Sequence, residues 1–355
     1  MATVTKSIGS GKDYSNIAAW ISDLSNGAVY SSGDDAIGEL YDSSYDEGFV
    51  IDDSEFSLSL NSITLRANSS EKHDGTPDSG VKITYTGTVS NETPVYQVAY
   101  TTGTYGNDKV MIEDIEFGDI TTGASVNFFL IDLGVRSSIM SRCLINNVVH
   151  GGPASQSFKV FGPDTQKPVI QNTMIFNCGK SGGAGSSAGK CMAIDVSNDS
   201  YSKINNCTVH NIYDTADTYG GFGGVYINTI ITNCSENFKQ STGSSDYNLS
   251  TDSTAPGSNS PVPALITVIY VSTTQGSENL HLRNRAPALR KGSDLGTTNG
   301  GQYDIDGYDR DTNDFRWDIG ADQCHRCIVG YVPNSNFSRG FMVAQEMGTM
   351  NLSDF

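Results

Sequence analysis

Four aspartates, Asp195, Asp199, Asp214 and Asp217, fall close together in the chain, with His210 among them and His150 upstream. Two carboxylates held about 5–9 Å apart on one face could act as acid and as base or nucleophile on a glycosidic bond. They are the catalytic candidates if the chain is an enzyme. Further on, Asp304-Ile-Asp306-Gly-Tyr-Asp309-Arg-Asp311 gathers several oxygens in one turn, as a hard cation requires, but lacks the Glu that would complete an EF-hand loop. Asp304, Asp306 and Asp309 are therefore weak metal candidates. The stronger reading is a structural turn bent at Asp306-Gly307, with Arg310 paired to Asp318. Cys324-His-Arg-Cys327 is a lone C-x-x-C without the second pair that four-ligand zinc needs, and it reads as two thiols in a tail. In an acidic chain most aspartates are solvated. The expectation is no catalytic residue and no cofactor, with Ca²⁺ the one ion the pattern would admit.

The chain has 355 residues, 22 basic against 40 acidic, a net charge of −18, 38 glycines and 37% apolar residues. A nucleic-acid grip needs a basic face, and an anionic membrane surface repels such a chain. No apolar run reaches the roughly 20 residues of a membrane span, and the first residues lack the apolar core of a secretory signal. The expectation is a protein made in a cytosol. Cys143, Cys178, Cys207 and Cys234 sit in apolar runs, where a thiol packs as a small hydrophobe.

A repeated block dictates how these residues are positioned. It reads Ile115-Glu-Phe117-Gly-Asp119-Ile120, Cys143-Leu-Ile145-Asn-Asn147-Val148, Thr173-Met-Ile175-Phe-Asn177-Cys178, Cys207-Thr-Val209-His-Asn211-Ile212 and Thr229-Ile-Ile231-Thr-Asn233-Cys234. The first and third positions suit the inward face of a strand. The fifth is Asp or Asn throughout, which suits a left-handed bend and would stack into a ladder about 4.8 Å apart. A strand-and-bend unit recurring every 20–35 or so residues is the signature of a solenoid. Gly179–Gly189 and Asp214–Gly224 read as loops bulging from the coils. The second and fourth positions point outward, so Leu144, Met174, Phe176 and Ile230 form an apolar stripe that calls for cover. A homotrimer with the stripe at its axis is the first expectation; the loop 181–189 is the alternative cover. Before the repeat, Ile17, Trp20, Ile21 and Leu24 share one face of a short helix, N-capped by Asp13 or Ser15 and ended by Gly27, that would close the open end of the stack.

The segments Asp246-Tyr-Asn-Leu-Ser250, Leu280-His-Leu282-Arg-Asn-Arg-Ala-Pro287-Ala-Leu-Arg-Lys-Gly292, Asp304-Ile-Asp306-Gly307 and Asp318-Ile-Gly320-Ala-Asp322 follow in order. Together they resemble the closing segment of right-handed parallel β-helix proteins, a superfamily of pectate-lyase-like enzymes, bacterial surface proteins and phage virion proteins. Ser7-Ile-Gly-Ser-Gly-Lys-Asp13-Tyr14 resembles its capping start. The resemblance covers roughly residues 7–322. It implies an all-β, right-handed, single-stranded parallel β-helix with a capping helix and an extended C-terminal tail. The expected organisation is a cap over 1–48, the β-helix over 49–290, a closing segment over 291–322 and an arm over 323–355.

Enzymes of that superfamily imply a Ca²⁺ site or an outward carboxylate set. The Asp-Asp and Gly-His-Gly contexts of its polygalacturonase-like members are missing here, where His150-Gly-Gly is the nearest approach. A β-helix without an export signal fits a particle assembled inside a host. The leading expectation is a non-enzymatic virion protein of a tailed phage, a capsid decoration or a tail-fibre or spike component. The alternative is a polysaccharide lyase or glycoside hydrolase, and a surface adhesin stands third. Ile328, Tyr331, Phe341 and Phe355 of the arm would bind other virion proteins, and a host surface glycan is a further expected partner.

Overall fold

The computed structural model describes residues 2–325 except 53–57, 88–93, 100–108, 123–127, 134–137, 151–157, 163–167, 181–190, 197–201, 215–216, 298–301 and 312–315. Asp199, Cys327, loop 181–189 and Ile328, Tyr331, Phe341 and Phe355 of the arm lie outside the described residues, as does the His150 side chain.

Three parallel sheets run the length of the body. The first holds β1 (Thr3–Ile8), β2 (Asp35–Leu40), β5 (Ser62–Ala67), β8 (Lys109–Glu113), β11 (Ile139–Ser141), β14 (Val169–Gln171), β17 (Lys203–Asn205) and β20 (Val225–Ile227). The second holds β3 (Ser44–Asp46), β6 (Lys82–Thr84), β9 (Glu116–Thr122), β12 (Leu144–His150), β15 (Met174–Lys180), β18 (Thr208–Tyr213), β21 (Ile230–Thr232) and β23 (Leu249–Ser250). The third holds β4 (Phe49–Asp52), β7 (Tyr96–Ala99), β10 (Phe128–Leu133), β13 (Phe158–Gly162), β16 (Cys191–Val196), β19 (Thr218–Gly223) and β22 (Glu236–Lys239). From β2 to β22 each turn of chain gives one strand to each sheet in order, and each strand pairs with its counterparts one turn away. That is a parallel β-helix.

The repeat sets the register. Phe117, Ile145, Ile175, Val209 and Ile231 align one above another in the second sheet and are fully buried in the core. Ile115, Cys143, Thr173, Cys207 and Thr229 are likewise fully buried, stacked through bonds such as Leu144 N–H to Ile115 O, 3.1 Å. The core thiols Cys143, Cys178, Cys207 and Cys234 are free, and burial pushes each up to about 12. The bends behave as their residues dictate: Asp119, Asn147, Asn177, Asn211 and Asn233 have φ of 51–57°. Asn233 Nδ2 donates to Asn211 Oδ1 and Asn211 Nδ2 to Asn177 Oδ1, both at 2.8 Å, and Asn147 donates to Asp119 at 3.1 Å.

A second ladder was not anticipated. Asp114, Arg142, Asn172, Asn206 and Asn228, five residues before each member of the first, also have positive φ, from 49° to 60°. They turn the chain from the first sheet into the second. Arg142 reaches Asp114 at 2.7 Å, and Asn228 donates to Asn206 at 2.9 Å.

Several boundaries differ from expectation. β1 to β3 already belong to the stack, so parallel strand pairing begins at Thr3 instead of 49 and ends at Ser250 instead of 290. Pro256, Pro261 and Pro263 follow the last strand, and proline cannot donate to a further ladder. Helix α1 (Ile17–Ser22) does bury Ile17, Trp20 and Ile21. Its N-cap, however, is Asn16, whose Oδ1 accepts from Ala19 N at 2.8 Å, while Asp13 is engaged by Ser7. The chain leaves the following turn at Asn26, ahead of Gly27. Asp214–Gly224 is mostly strand β19, with glycine where neighbours fill the space: a Cβ on Gly220 would lie 2.0 Å from Ile231 and one on Gly221 2.5 Å from the Tyr226 hydroxyl. Gly179 and Lys180 likewise end β15. No helix among the described residues is long and apolar enough to cross a membrane.

Candidate functional site

The outward face of the second sheet is where the expected stripe lies, and it is not open. Leu144, Met174, Phe176 and Ile230 are at most 1% exposed. They form a second apolar cluster with Ile269, Tyr270, Leu280, Leu282, Leu289, Ile305 and Ile319. After Ser250 the chain returns along this face, and the closing segment that covers it runs from about 264 to 324, longer than the expected 291–322. The interface assigned to Leu144, Met174, Phe176 and Ile230 is thus filled from within the chain, because its own apolar residues satisfy the stripe. Each large side chain buried this way contributes about 1.5–3 kcal/mol.

The segment is fastened through the polar rows that flank the stripe. Asn177 Nδ2 donates to Glu278, Asn228 exchanges bonds of 2.7 Å with Ser293, and Ala321 N donates to Thr208 Oγ1 at 3.0 Å. The Tyr270 and Thr232 hydroxyls lie 3.1 Å apart, and the His210 ring packs edge-on to Tyr270 while its Nδ1 faces Thr232 Oγ1 at 3.0 Å. Burial lowers His210 to about 4, against the pull of Glu278. It is a neutral packing residue.

Arg310 is almost wholly buried. Its Nη2 donates to Ala321 O at 2.7 Å, Gly320 O at 3.1 Å and Asn172 Oδ1 at 3.2 Å, tying the segment to the second ladder. The expected pairing with Asp318 is replaced: Asp318 accepts from the backbone N–H of Arg290 and Cys324. The guanidinium's planar fork suits convergent carbonyls, and the carboxylate suits turn amides. Cys324 is disulfide-bonded, against the expectation of two thiols.

The titratable cluster of this region joins three pieces of the segment. His281 lies on β25 (Asn279–Leu282), which pairs antiparallel with β24 (Tyr270–Ser272); Asp306 lies in the turn after Asp304, and Asp322 follows Gly320-Ala321. One ligand-type atom from each of His281, Asp306 and Asp322 lies within 4.8 Å of the others. His281 Nε2 is 2.9 Å from Asp306 Oδ1, and its Nδ1 is 2.8 Å from Asn279 Oδ1. Burial would lower this imidazole, but the Asp306 bond and the charges of Asp322, Asp306 and Asp304 outweigh it and raise it to about 9. Asp322, 4% exposed, accepts from Leu282 N at 2.7 Å; burial pushes it up to about 7, in part opposed by His281. The body meets this cluster at a loop following β5: Lys72 Nζ donates to Asp306 O at 3.1 Å, and Gly75 passes so close that a Cβ would lie 2.6 Å from both His281 Nε2 and Asp306 Oδ1. Its φ of +81° is one glycine adopts readily.

Of the metal candidates, Asp306 alone joins this cluster. Asp304 is spent on the turn, accepting from Asp306 N, Tyr308 N and Gln323 N, and Asp309 accepts from Gln302 and Asp311 N. Of the catalytic candidates, Asp195 and Asp217 stand at different levels. Asp195 is buried near the end of β16, whereas Asp217 precedes β19 beside Cys191, at the start of β16. Four residues of strand separate those levels, about 13 Å, which is beyond the spacing of a glycosidase pair. Asp214 lies between β18 and β19.

No protein-family model matches the chain, and no curated protein matches it. Among solved structures, two crystal structures of the pectin methylesterase from Aspergillus niger, one in deglycosylated and one in penultimately deglycosylated form, align over 74% of this chain and 90% of theirs. Identity is 15% and the TM-score 0.30. The fold assignment rests on the strand pairing of this chain, and no site residue is carried across.

Proposed function

We propose that the chain is a non-enzymatic structural protein of a tailed-phage particle, a capsid decoration or a tail-fibre or spike component held through its C-terminal arm. The observation that carries the structural reading is the filled outer face: the closing segment occupies the second sheet, and the buried titratable groups of that region serve to fasten it. The phage assignment adds the sequence resemblance and the acidic, strand-rich composition.

The test is an assay of the full chain against pectate, alginate and bacterial capsule, with and without Ca²⁺. No shortening of any glycan is expected. Depolymerisation that disappears in Asp214→Asn or Asp217→Asn would replace this reading with the depolymerase alternative.

A further inference from the structure

We propose that the root of the C-terminal arm, Ile328-Val-Gly-Tyr331-Val332, docks on the outer apolar face of the closing segment. That segment has two faces. Ala264, Ile266, Ile269 and Tyr270 pack towards the stripe. Val262, Leu265, Val268 and Val271 recur at every third residue between and beside them, and are 82%, 75%, 43% and 56% exposed. Elsewhere among the described residues, the large apolar side chains left exposed are Val50, Tyr303 and Tyr308. From Ser253 to Ser277 no residue is charged, in a chain that is 17% charged. A single exposed valine is ordinary, but four in a row on one uncharged stretch mark a contact surface.

Charge and chain path select the occupant. A second copy would bring its own net charge of −18 to the contact and be repelled. Ile328 to Val332 carries no charge and is tethered, so it meets the face at a high effective concentration. The tether starts on the right side. Tyr270, Leu280 and Leu282 of the β24–β25 hairpin are buried, so the alternating Val271 and His281 point outward. His281 Nε2 is 2.9 Å from Asp306 Oδ1, and in the same turn Asp304 Oδ2 lies 3.6 Å from Nε2 of His325, three residues before Ile328. Cys324 N donates to Asp318 Oδ2 at 2.8 Å and fixes this root to the closing segment. Six extended residues from His325 span about 20 Å, which carries Tyr331 across a hairpin whose strands lie about 5 Å apart. Pro333 then ends the run. Phe341 and Phe355 lie beyond it and are left for another protein, so the inference does not depend on the particle reading.

The experiment replaces Tyr331 of the full chain with the photo-crosslinker p-benzoylphenylalanine and maps the linked peptides by mass spectrometry, in an equal mixture of ordinary and ¹⁵N-labelled chains. Links from position 331 to residues 262–271 of the same chain are expected. In the Leu265→Asp, Val271→Asp double variant their yield is expected to fall roughly tenfold, as loss of one well-buried apolar contact implies. Should that variant fail to fold by circular dichroism, backbone hydrogen exchange of residues 328–332 in the wild type decides, and protection supports the docking. Links that join labelled to unlabelled chains would assign the face to a second copy and overturn the proposal. Absence of links to 262–271, an unchanged yield in the folded double variant, or unprotected exchange over 328–332 would each overturn it as well.

Discussion

Asn177 shows what a single residue does in this fold. Its backbone is left-handed at φ 52°, its Oδ1 accepts from Asn211 one turn on, and its Nδ2 reaches out to Glu278 of the closing segment. One side chain therefore serves the bend, the ladder and the docked segment. Asn177→Leu is expected to destabilise the protein by about 1–3 kcal/mol in chemical denaturation, since leucine makes none of these bonds and tolerates the bend poorly. An unchanged midpoint would count against the ladder. The first ladder was legible because Asp or Asn holds the same place in every block. The second was not: it mixes Asp114, Arg142 and three asparagines, and an arginine carries no turn signal. The fixed offset of five residues would have exposed it. The candidate site was legible only at Asp306, because His281 and Asp322 join it from distant stretches whose pairing the β24–β25 hairpin and the 318–322 turn create.

At the scale of elements, the stacked strands followed from inward period-two positions. β19 was hidden by its glycines, which read as a loop until Ile231 and Tyr226 are seen to fill their place. The stripe was legible but its cover was not, because Ile269, Tyr270, Leu280, Leu282 and Ile319 are spread along the closing segment without a periodic pattern. Where elements dock, buried histidines make stability depend on pH. Burial lowers His210, under Tyr270, to about 4, and lowers His73, whose Nε2 lies 2.9 Å from Arg142 O, also to about 4. The unfolded chain takes up a proton near pH 6.5 that the folded chain refuses. Each histidine therefore contributes fully above pH 6.5, and that contribution is lost as pH falls from 6.5 towards 4, at up to about 1.4 kcal/mol per pH unit. Asp322, raised to about 7, works in the opposite sense over the same range. The clean comparison is between variants: the stability of His210→Gln is expected to fall less steeply than wild type between pH 6.5 and 4. Parallel slopes would show that His210 is not held neutral.

For the whole molecule, the central claim is that one chain builds both a β-helix and the strap that closes its outer face. The inner core and the outer cluster lie on opposite sides of the second sheet, so its central strands are buried on both faces. Strands covered on both sides read as nearly continuous apolar runs, as Met174-Ile-Phe176 does. Edges are managed too. Asn237 N–H of β22 donates to Asp252 Oδ2 and Phe238 N–H to Thr254 Oγ1, both at 3.0 Å, which blocks further strand addition at that end. The most direct measurement of the strap is a double-mutant cycle between Thr232 on β21 and Tyr270 on β24, whose hydroxyls meet at 3.1 Å across the docking face. Thr232→Val, Tyr270→Phe and the double variant would be compared with wild type by denaturant unfolding. The docked strap predicts a coupling of about 0.5–1.5 kcal/mol. Additive effects, with no coupling beyond error, would contradict it.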